Sequence, residues 1–476
     1  MVTHGVQNRE SAAGPAAASD APPLRGARVL GLVATLLLGV ISFQLNASMV
    51  TPALPDMAER LGGSVDDIAQ VSSLFFLAGA IGGVVLSRIS DFVGRRKVLV
   101  AVLAVTAVGT LICFLAPNLP VLLVGRVLQG ASSAAFQIAY VILNERLSAK
   151  VFGTALGVLT AINGGVGGVD GFFGGALSDR YGFRAIFAVI LVVGVLAAVC
   201  VALFIPEDRP SVTAGRMDWW GAGALSVALY CVTYFVSHGS SDGWTSPGTL
   251  GYLAGTLVSA LAFGLVERGR ATPLVSLTHL KSRRMWPLVT TTVLVLSGVF
   301  AVINFTVVII SQNPDTGFGL SATDSALLFL TPAALIGLGA APMAGWLAGK
   351  RGWLTTLRAG LVLSIVALCV VAAFPLDKWL VLVAVAFLGI TYNGLVLTTL
   401  NGLGVLLSPK DAPAALPGLN GAAFGIGAGL GIGIVAPYAA RATAGGYATA
   451  LWISVAITVL ALGTSLFIAA PRPDHP

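Results

Sequence analysis

Asp170 sits inside an apolar, glycine-rich stretch, Phe152 to Leu177, and is the only acidic side chain placed well within a run long enough to cross a membrane. A carboxylate in hydrocarbon costs at least a few kcal/mol, so it is rarely retained without a task. Burial disfavours the charged form, which lets such a group take up and release a proton near neutral pH. The alternative is a structural acid, bonded to neighbouring hydroxyls or amides or paired with Arg180 or Arg184. Arg126 is the only basic residue comparably deep. An unpaired Arg there is costly too, and it is expected to face the cytoplasmic half of a water-filled cavity or to bond backbone carbonyls. Asn46 lies at nearly the depth of Asp170, both about 25 Å from the inner ends of their segments at roughly 1.5 Å per residue. The two can be neighbours, and an amide can hydrogen-bond either form of the acid. No Ser/His/Asp set, no metal-ligand spacing and no Gly-rich Lys-Ser/Thr phosphate loop is visible. The chain is therefore expected to be no enzyme, to use no cofactor and not to draw on ATP. His238, near Asp242 after the seventh segment, reads as a solvated loop residue.

The elements that position these groups must be membrane helices. The 476 residues are 56% hydrophobic and 10% charged, with a mean hydropathy of +0.92. No soluble domain has this composition. About fourteen runs of roughly 20 residues, from 28–51 to 447–470, are long enough to span a bilayer. The fold class is thus all-α integral membrane. The net charge of +7 does not point to nucleic acid, because the basic residues sit in short loops. Placing the N-terminus inside leaves only Arg60, Arg180, Arg184, Lys378 and Arg441 in outer loops. The resulting bias of about four to one puts both termini in the cytoplasm of a cell inner (plasma) membrane. Residues 1–25 are rich in Ala, Pro, Ser and Gly and are expected to be a disordered tail.

An internal repeat supports this count. Ser87-Arg-Ile-Ser-Asp91-Phe-Val-Gly94-Arg95-Arg96 follows the second segment. Gly175-Ala-Leu-Ser-Asp179-Arg180-Tyr-Gly182 ends the fifth, three segments later and on the opposite membrane face. Gly345-Trp-Leu-Ala-Gly349-Lys350-Arg351-Gly352 follows the tenth. Inverted three-helix repeats belong to secondary transporters that work by alternating access.

These residues resemble the major facilitator superfamily. Asp91, Gly94, Arg95 and Arg96 stand at its signature-loop positions, with Ser87 replacing the usual first Gly. Arg126-Val-Leu-Gln129-Gly130 is similar to its fourth-helix motif. Fourteen segments, two of them (218–267) inserted between six-helix halves, resemble the 14-helix drug:proton antiporters, as does Leu45-Asn46-Ala-Ser-Met-Val-Thr-Pro52. Two departures stand out. Asn46 replaces the usual first-helix Asp, and Asp170-Gly171 replaces the Gly-Pro of the fifth-helix motif. The resemblance implies a first half at 26–210, an inserted pair and linker at 211–275, a second half at 276–470 and a tail at 471–476. It also implies a part for Arg126 in proton coupling, so Asp170, Arg126 and Asn46 form the expected coupling set.

Asp91, Gly94, Arg95 and Arg96 are expected to form a gate latch, with Asp91 accepting from a helix N-terminus of the other half. Arg88 is read only as obeying the positive-inside rule. Gln44, Gln137, Tyr140, Asn163, Asn304, Tyr392, Asn393 and Asn420 are the candidate cavity residues, although intramembrane amides also glue helices together. Two glycine stripes, Gly164/Gly168/Gly171/Gly175 and Gly421/Gly425/Gly429/Gly433, permit close helix contact, as static packing or as a sliding interface. The expected partners are a small-molecule substrate, protons and the lipid bilayer, for a chain acting as a monomer. The expected function is proton-coupled efflux of small amphipathic compounds. An importer or uniporter, or a non-transporting receptor on the same scaffold, remains open.

Overall fold

The computed structural model describes residues 24, 26–62, 65–165, 170–208, 210, 217–270 and 273–471. Thirteen of its helices are long and apolar enough to cross a membrane. In chain order the first four are α1 (Ala27–Ala53), α2 (Gln70–Val93), α3 (Arg95–Leu115) and α4 (Leu119–Arg146). The next, α5, is described in two stretches, Ala149–Gly165 and Asp170–Tyr181. The first half ends with α6 (Phe183–Phe204). The inserted pair is α7 (Trp219–Gly239) and α8 (Pro247–Arg268). The second half comprises α9 (Trp286–Gln312), α10 (Thr323–Arg351), α11 (Trp353–Ala373), α12 (Lys378–Leu406), α13 (Ala415–Ala439) and α14 (Ala444–Ser465).

Only helices satisfy their own backbone groups in lipid, which is why apolar runs of this length fold this way. The outer walls carry large exposed apolar side chains such as Val192, Leu203, Leu257 and Val258. Such a surface would be a liability in water and is what a lipid-facing wall requires. Exposed Trp219 and Trp220 open α7, and exposed Trp379 opens α12 at the opposite end, the level where indole rings favour the membrane interface.

The repeat has a structural cause. Gly94, Gly182 and Gly352 adopt φ of 105°, 78° and 98°, and each directly precedes a helix. Left-handed backbone there lets one helix turn into the next without a Cβ clash. In two of the three turns an Asp from elsewhere in the same half caps the new helix. Asp208 accepts from the amides of Arg95 and Arg96. Asp56 accepts from the Phe183 amide at 2.8 Å. Burial pushes the Asp56 carboxyl up, but Arg60 and that amide outweigh it and hold it below its ordinary range.

The two halves meet most closely where α5 crosses α10. A Cβ on Gly153 would overlap the carbonyl oxygen of Gly345, and the reverse holds for Gly345. Gly157 bears in the same way on Ala341. A second crossing sets α13 on α2, with Gly418 against Val84. These contacts lie toward the membrane face that carries Arg95, Lys350 and Arg351, called here the basic face. The glycine stripe expected on α13 is corrected. Of the expected stripe, Gly421 is pressed on the Gln137 side chain and Gly429 on Val236, but Gly425 has nothing within 4 Å, and the closest backbone approaches are at Gly427 and Gly431, facing Val293 and Ser297 of α9. The expectation for Gly164, Gly168 and Gly171 falls outside the described side chains. Gly175 meets only Pro52, at 3.6 Å, while Gly174 is pressed on the Met49 carbonyl.

Without glycine at the α5–α10 crossing the backbones cannot approach so closely. Gly345→Ala is expected to cost about 1–3 kcal/mol by overpacking, read as a lower melting temperature of the purified protein. An unchanged melting temperature would contradict this crossing.

Candidate functional site

Arg126 is completely buried. Its Nε donates to the Val71 carbonyl at 2.7 Å. Its Nη1 donates to the Asn46 carbonyl at 3.0 Å and to Gln129 Oε1 at 2.8 Å. Gln129 Nε2 in turn donates to Thr110 at 2.9 Å, and the guanidinium stacks 4.4 Å from the Phe75 ring centre. One cation thus ties α4 to α1, α2 and, through Gln129, α3. The carbonyl it takes from Asn46 belongs to a π-helical turn, Leu45–Met49, whose wider winding departs from the regular ladder. Of the two expectations for Arg126, the structure shows the bonds to backbone carbonyls and not the cytoplasmic cavity. Arg126 lies seven residues from the α4 end remote from the basic face, and its side chain faces protein and not a water-filled cavity.

Asp170 is 3% exposed. Its α1 partner is the Ser48 hydroxyl, which donates to the carboxylate. The same hydroxyl is 2.9 Å from the Gln44 carbonyl and accepts from Gln44 Nε2 at 2.9 Å. Asn46 is two residues away, with its amide donating to the Ser42 carbonyl at 2.7 Å. The depth argument thus brings the right helices together but picks the wrong residue: a hydroxyl, not Asn46, faces the acid. Asp170 borders a crevice of about 280 Å³ lined by Leu45, Met49, Phe173, Leu177 and Val189. All belong to α1, α5 and α6, so this acid opens on the flank of the first half.

At the basic face the signature loop is rearranged relative to expectation. Asp91 is fully buried, and its partners are Arg88 at 2.6 Å and Arg95. Arg95 also meets Glu145 at 3.1 Å, while Arg96 bonds the Ala202 carbonyl. Asp91 therefore does not accept from a helix of the other half. The residue that crosses is Arg88, which donates to the carbonyls of Asp411 at 3.1 Å and Pro273 at 3.2 Å. Asp91 holds Arg88 in place, and Gly94 supplies the turn.

Further into the membrane a polar chain joins the halves. The Tyr140 hydroxyl is 3.2 Å from Thr160 Oγ1. Asn401 Nδ2 donates to both, at 3.2 and 3.4 Å. Asn420 Nδ2 donates to Asn401 Oδ1 at 3.4 Å, and Asn420 Oδ1 accepts from Thr292 at 2.6 Å. Gln137 lies flat against Gly421. Helices α4, α5, α9, α12 and α13 all contribute, and none of these side chains is charged. The structure thus brings Tyr140, Gln137 and Asn420 together between the halves. Asn401, Thr160 and Thr292 are the members sequence reasoning missed. Asn304 is exposed and bonds its own helix. Asn393 reaches the Ala333 carbonyl at 3.4 Å over Gly337, and Tyr392 is buried with no hydroxyl partner among the described residues. The Asn163 side chain lies outside the described residues. His238 is in the last turn of α7, its ring 5.0 Å from that of Tyr252, and so is not a loop residue.

Among the described residues no group of three or more His, Cys, Asp or Glu side chains could hold a metal ion.

Comparison with known proteins agrees with this geometry. Residues 36–432 match the family model described as Major Facilitator Superfamily. The chain is 38% identical over 412 residues to a uridine/deoxyuridine transporter of Lactococcus lactis, covering 84% of this chain and 85% of that one. It is 27% identical over 413 residues to the multidrug resistance protein Stp of Mycobacterium tuberculosis, covering 86% and 75%. In three dimensions it superposes on the human organic anion transporter MFSD10 with a TM-score of 0.65 at 13% identity, covering 93% of this chain and 100% of that one. This multi-pass membrane protein is a transporter of the major facilitator superfamily.

Proposed function

We propose that this transporter carries an uncharged, polar, ring-bearing solute of the nucleoside class, with movement driven by protons taken up at Asp170. The observation that carries the reading is the uncharged chain of Tyr140, Thr160, Asn401, Asn420 and Thr292 between the halves. With the basic face shut, these groups satisfy one another. When the halves separate, each amide loses its partner and must find another. A pyrimidine base offers a donor flanked by two acceptors, and its sugar offers hydroxyls; these replace the lost bonds, and the Tyr140 ring can stack on the base. A site of this kind rejects solutes that cannot hydrogen-bond, because its own polar groups would be left unpaired. The relative named as a uridine/deoxyuridine transporter supports the same class.

The basic face is taken as cytoplasmic, on the positive-inside argument. The Gln44–Ser48–Asp170 relay supplies the proton step: Ser48 donates to the ionised carboxylate and can rotate to accept from the protonated one. A second reading, proton-coupled efflux of amphipathic compounds, is favoured by the apolar crevice beside Asp170 and by the multidrug resistance relative.

Proteoliposomes with an imposed pH gradient separate the two. Labelled uridine should accumulate against its gradient and exchange with unlabelled uridine; dye export without uridine exchange would favour efflux. Asn401→Leu removes hydrogen bonds worth about 1–3 kcal/mol and should raise the uridine KM roughly 10- to 100-fold. An unchanged KM would remove Asn401 from the site. Asp170→Asn should abolish uphill accumulation while leaving exchange intact, and retained proton-driven accumulation would sink the coupling role.

A further inference from the structure

The inserted helix pair carries an unusual feature where it meets the basic face. Asp218, just before α7, is 6% exposed, and Glu267, in the last turn of α8, is 4% exposed. A methyl group on Gly221 would lie 2.5 Å from Glu267 Oε1 and 2.7 Å from Asp218 Oδ2, so the two carboxyl groups are neighbours. Asp218 Oδ1 accepts from the Gly221 amide at 3.0 Å and lies 3.4 Å from Arg270 Nε. Glu267 Oε1 accepts from the Leu274 amide at 3.0 Å. Glu267 also faces the Val275 amide, and among the described residues Asp218 Oδ2 and Glu267 Oε2 are buried without a well-formed hydrogen bond.

Other charges do not resolve this. Arg270 is nearly half exposed. Arg88 is the other cation facing the pair among the described residues, and its charge is already engaged by Asp91 at 2.6 Å. Two ionised carboxylates side by side in a water-poor setting repel strongly. A proton on Glu267 removes one of the two charges and with it the repulsion.

The pair is also wired to the gate. Glu267 grips the N–H of the peptide joining Pro273 to Leu274, and Arg88 grips the C=O of that same peptide. Arg88 further holds the Asp411 carbonyl before α13. One peptide group is therefore clasped by the first half on one side, through Arg88, and by the inserted pair on the other, through the local bond to Glu267.

We propose that Glu267, buried beside Asp218, holds a proton while the basic face is closed and releases it when that face opens and admits water, so that the inserted pair is a proton-controlled clasp on the gate. The sign follows from linkage. The closed form binds the proton more tightly, so acid favours closure and a rise in pH favours opening, by at most about tenfold per pH unit for one proton. The inference stands independently of the substrate.

The test places spin labels at Lys97 and Lys410, exposed on opposite halves of the basic face. Distances are measured by electron–electron resonance in nanodiscs from pH 5.5 to 8.5, in the full chain carrying Asp170→Asn so that the proposed coupling acid does not titrate. The long-distance population should rise at least fivefold with pH. In E267Q, a permanently neutral isostere, it should stay low at every pH, and D218N provides the same readout should E267Q fail to fold. A population that ignores pH in the parent, or an equal pH response in both variants, overturns the proposal.

Discussion

The closed basic face depends on two backbones touching. In lipid there is little hydrophobic gain from pressing one apolar helix on another, so association rests on close van der Waals contact and on polar groups that find each other. Gly153 and Gly345 allow the first, because no side chain keeps α5 from α10. That contact in turn sets how far the neighbouring side chains must reach. The Tyr140–Thr160–Asn401–Asn420 chain closes with α4, α5, α12 and α13 held at this separation. Arg88 can span from the first half to the Asp411 and Pro273 carbonyls for the same reason.

The buried charges divide by what they hold. Arg126 is satisfied mainly by carbonyls and an amide, so it behaves as a rivet within the first half. Asp91 is locked between two arginines. Asp170 is different: its named α1 partner is a hydroxyl that can turn, and its surroundings are a crevice. A group whose partner can serve as donor or acceptor tolerates both protonation states at low reorganisation cost. Asp91 has no such turning partner, and this contrast supports the proposal of Asp170 as the proton site.

Much of the architecture was legible in the sequence because the signals were physical and redundant. Span length, loop charge and the repeated Gly94, Gly182 and Gly352 all gave the same count, and the glycines turned out to be the left-handed turns themselves. What failed depended on which way a side chain points. Arg126 sits seven residues after Leu119, so counting from the remote end would have placed it correctly. A loop arginine such as Arg88 satisfies the charge rule without further purpose, and only packing reveals that it crosses. Asn401 was overlooked as one amide among Thr-Thr-Leu-Asn-Gly-Leu. Its depth, five residues from the end of α12, matches that of Asn420 inside α13, a symmetry the sequence did contain. The α13 stripe misled because Gly421, Gly425, Gly427, Gly429 and Gly431 offer two overlapping faces at the same spacing, and periodicity alone does not choose between them.

The peptide between Pro273 and Leu274 carries a consequence for how such a chain can diversify. Its oxygen is held from the first half and its nitrogen from the inserted pair, and it leads directly into the second half. A version of this protein pared to twelve segments would leave Arg88 without its Pro273 anchor and free the tether between the halves. The extra pair is thus integrated with the moving parts, and its loss would require a compensating change at Arg88 or at the linker in the same lineage.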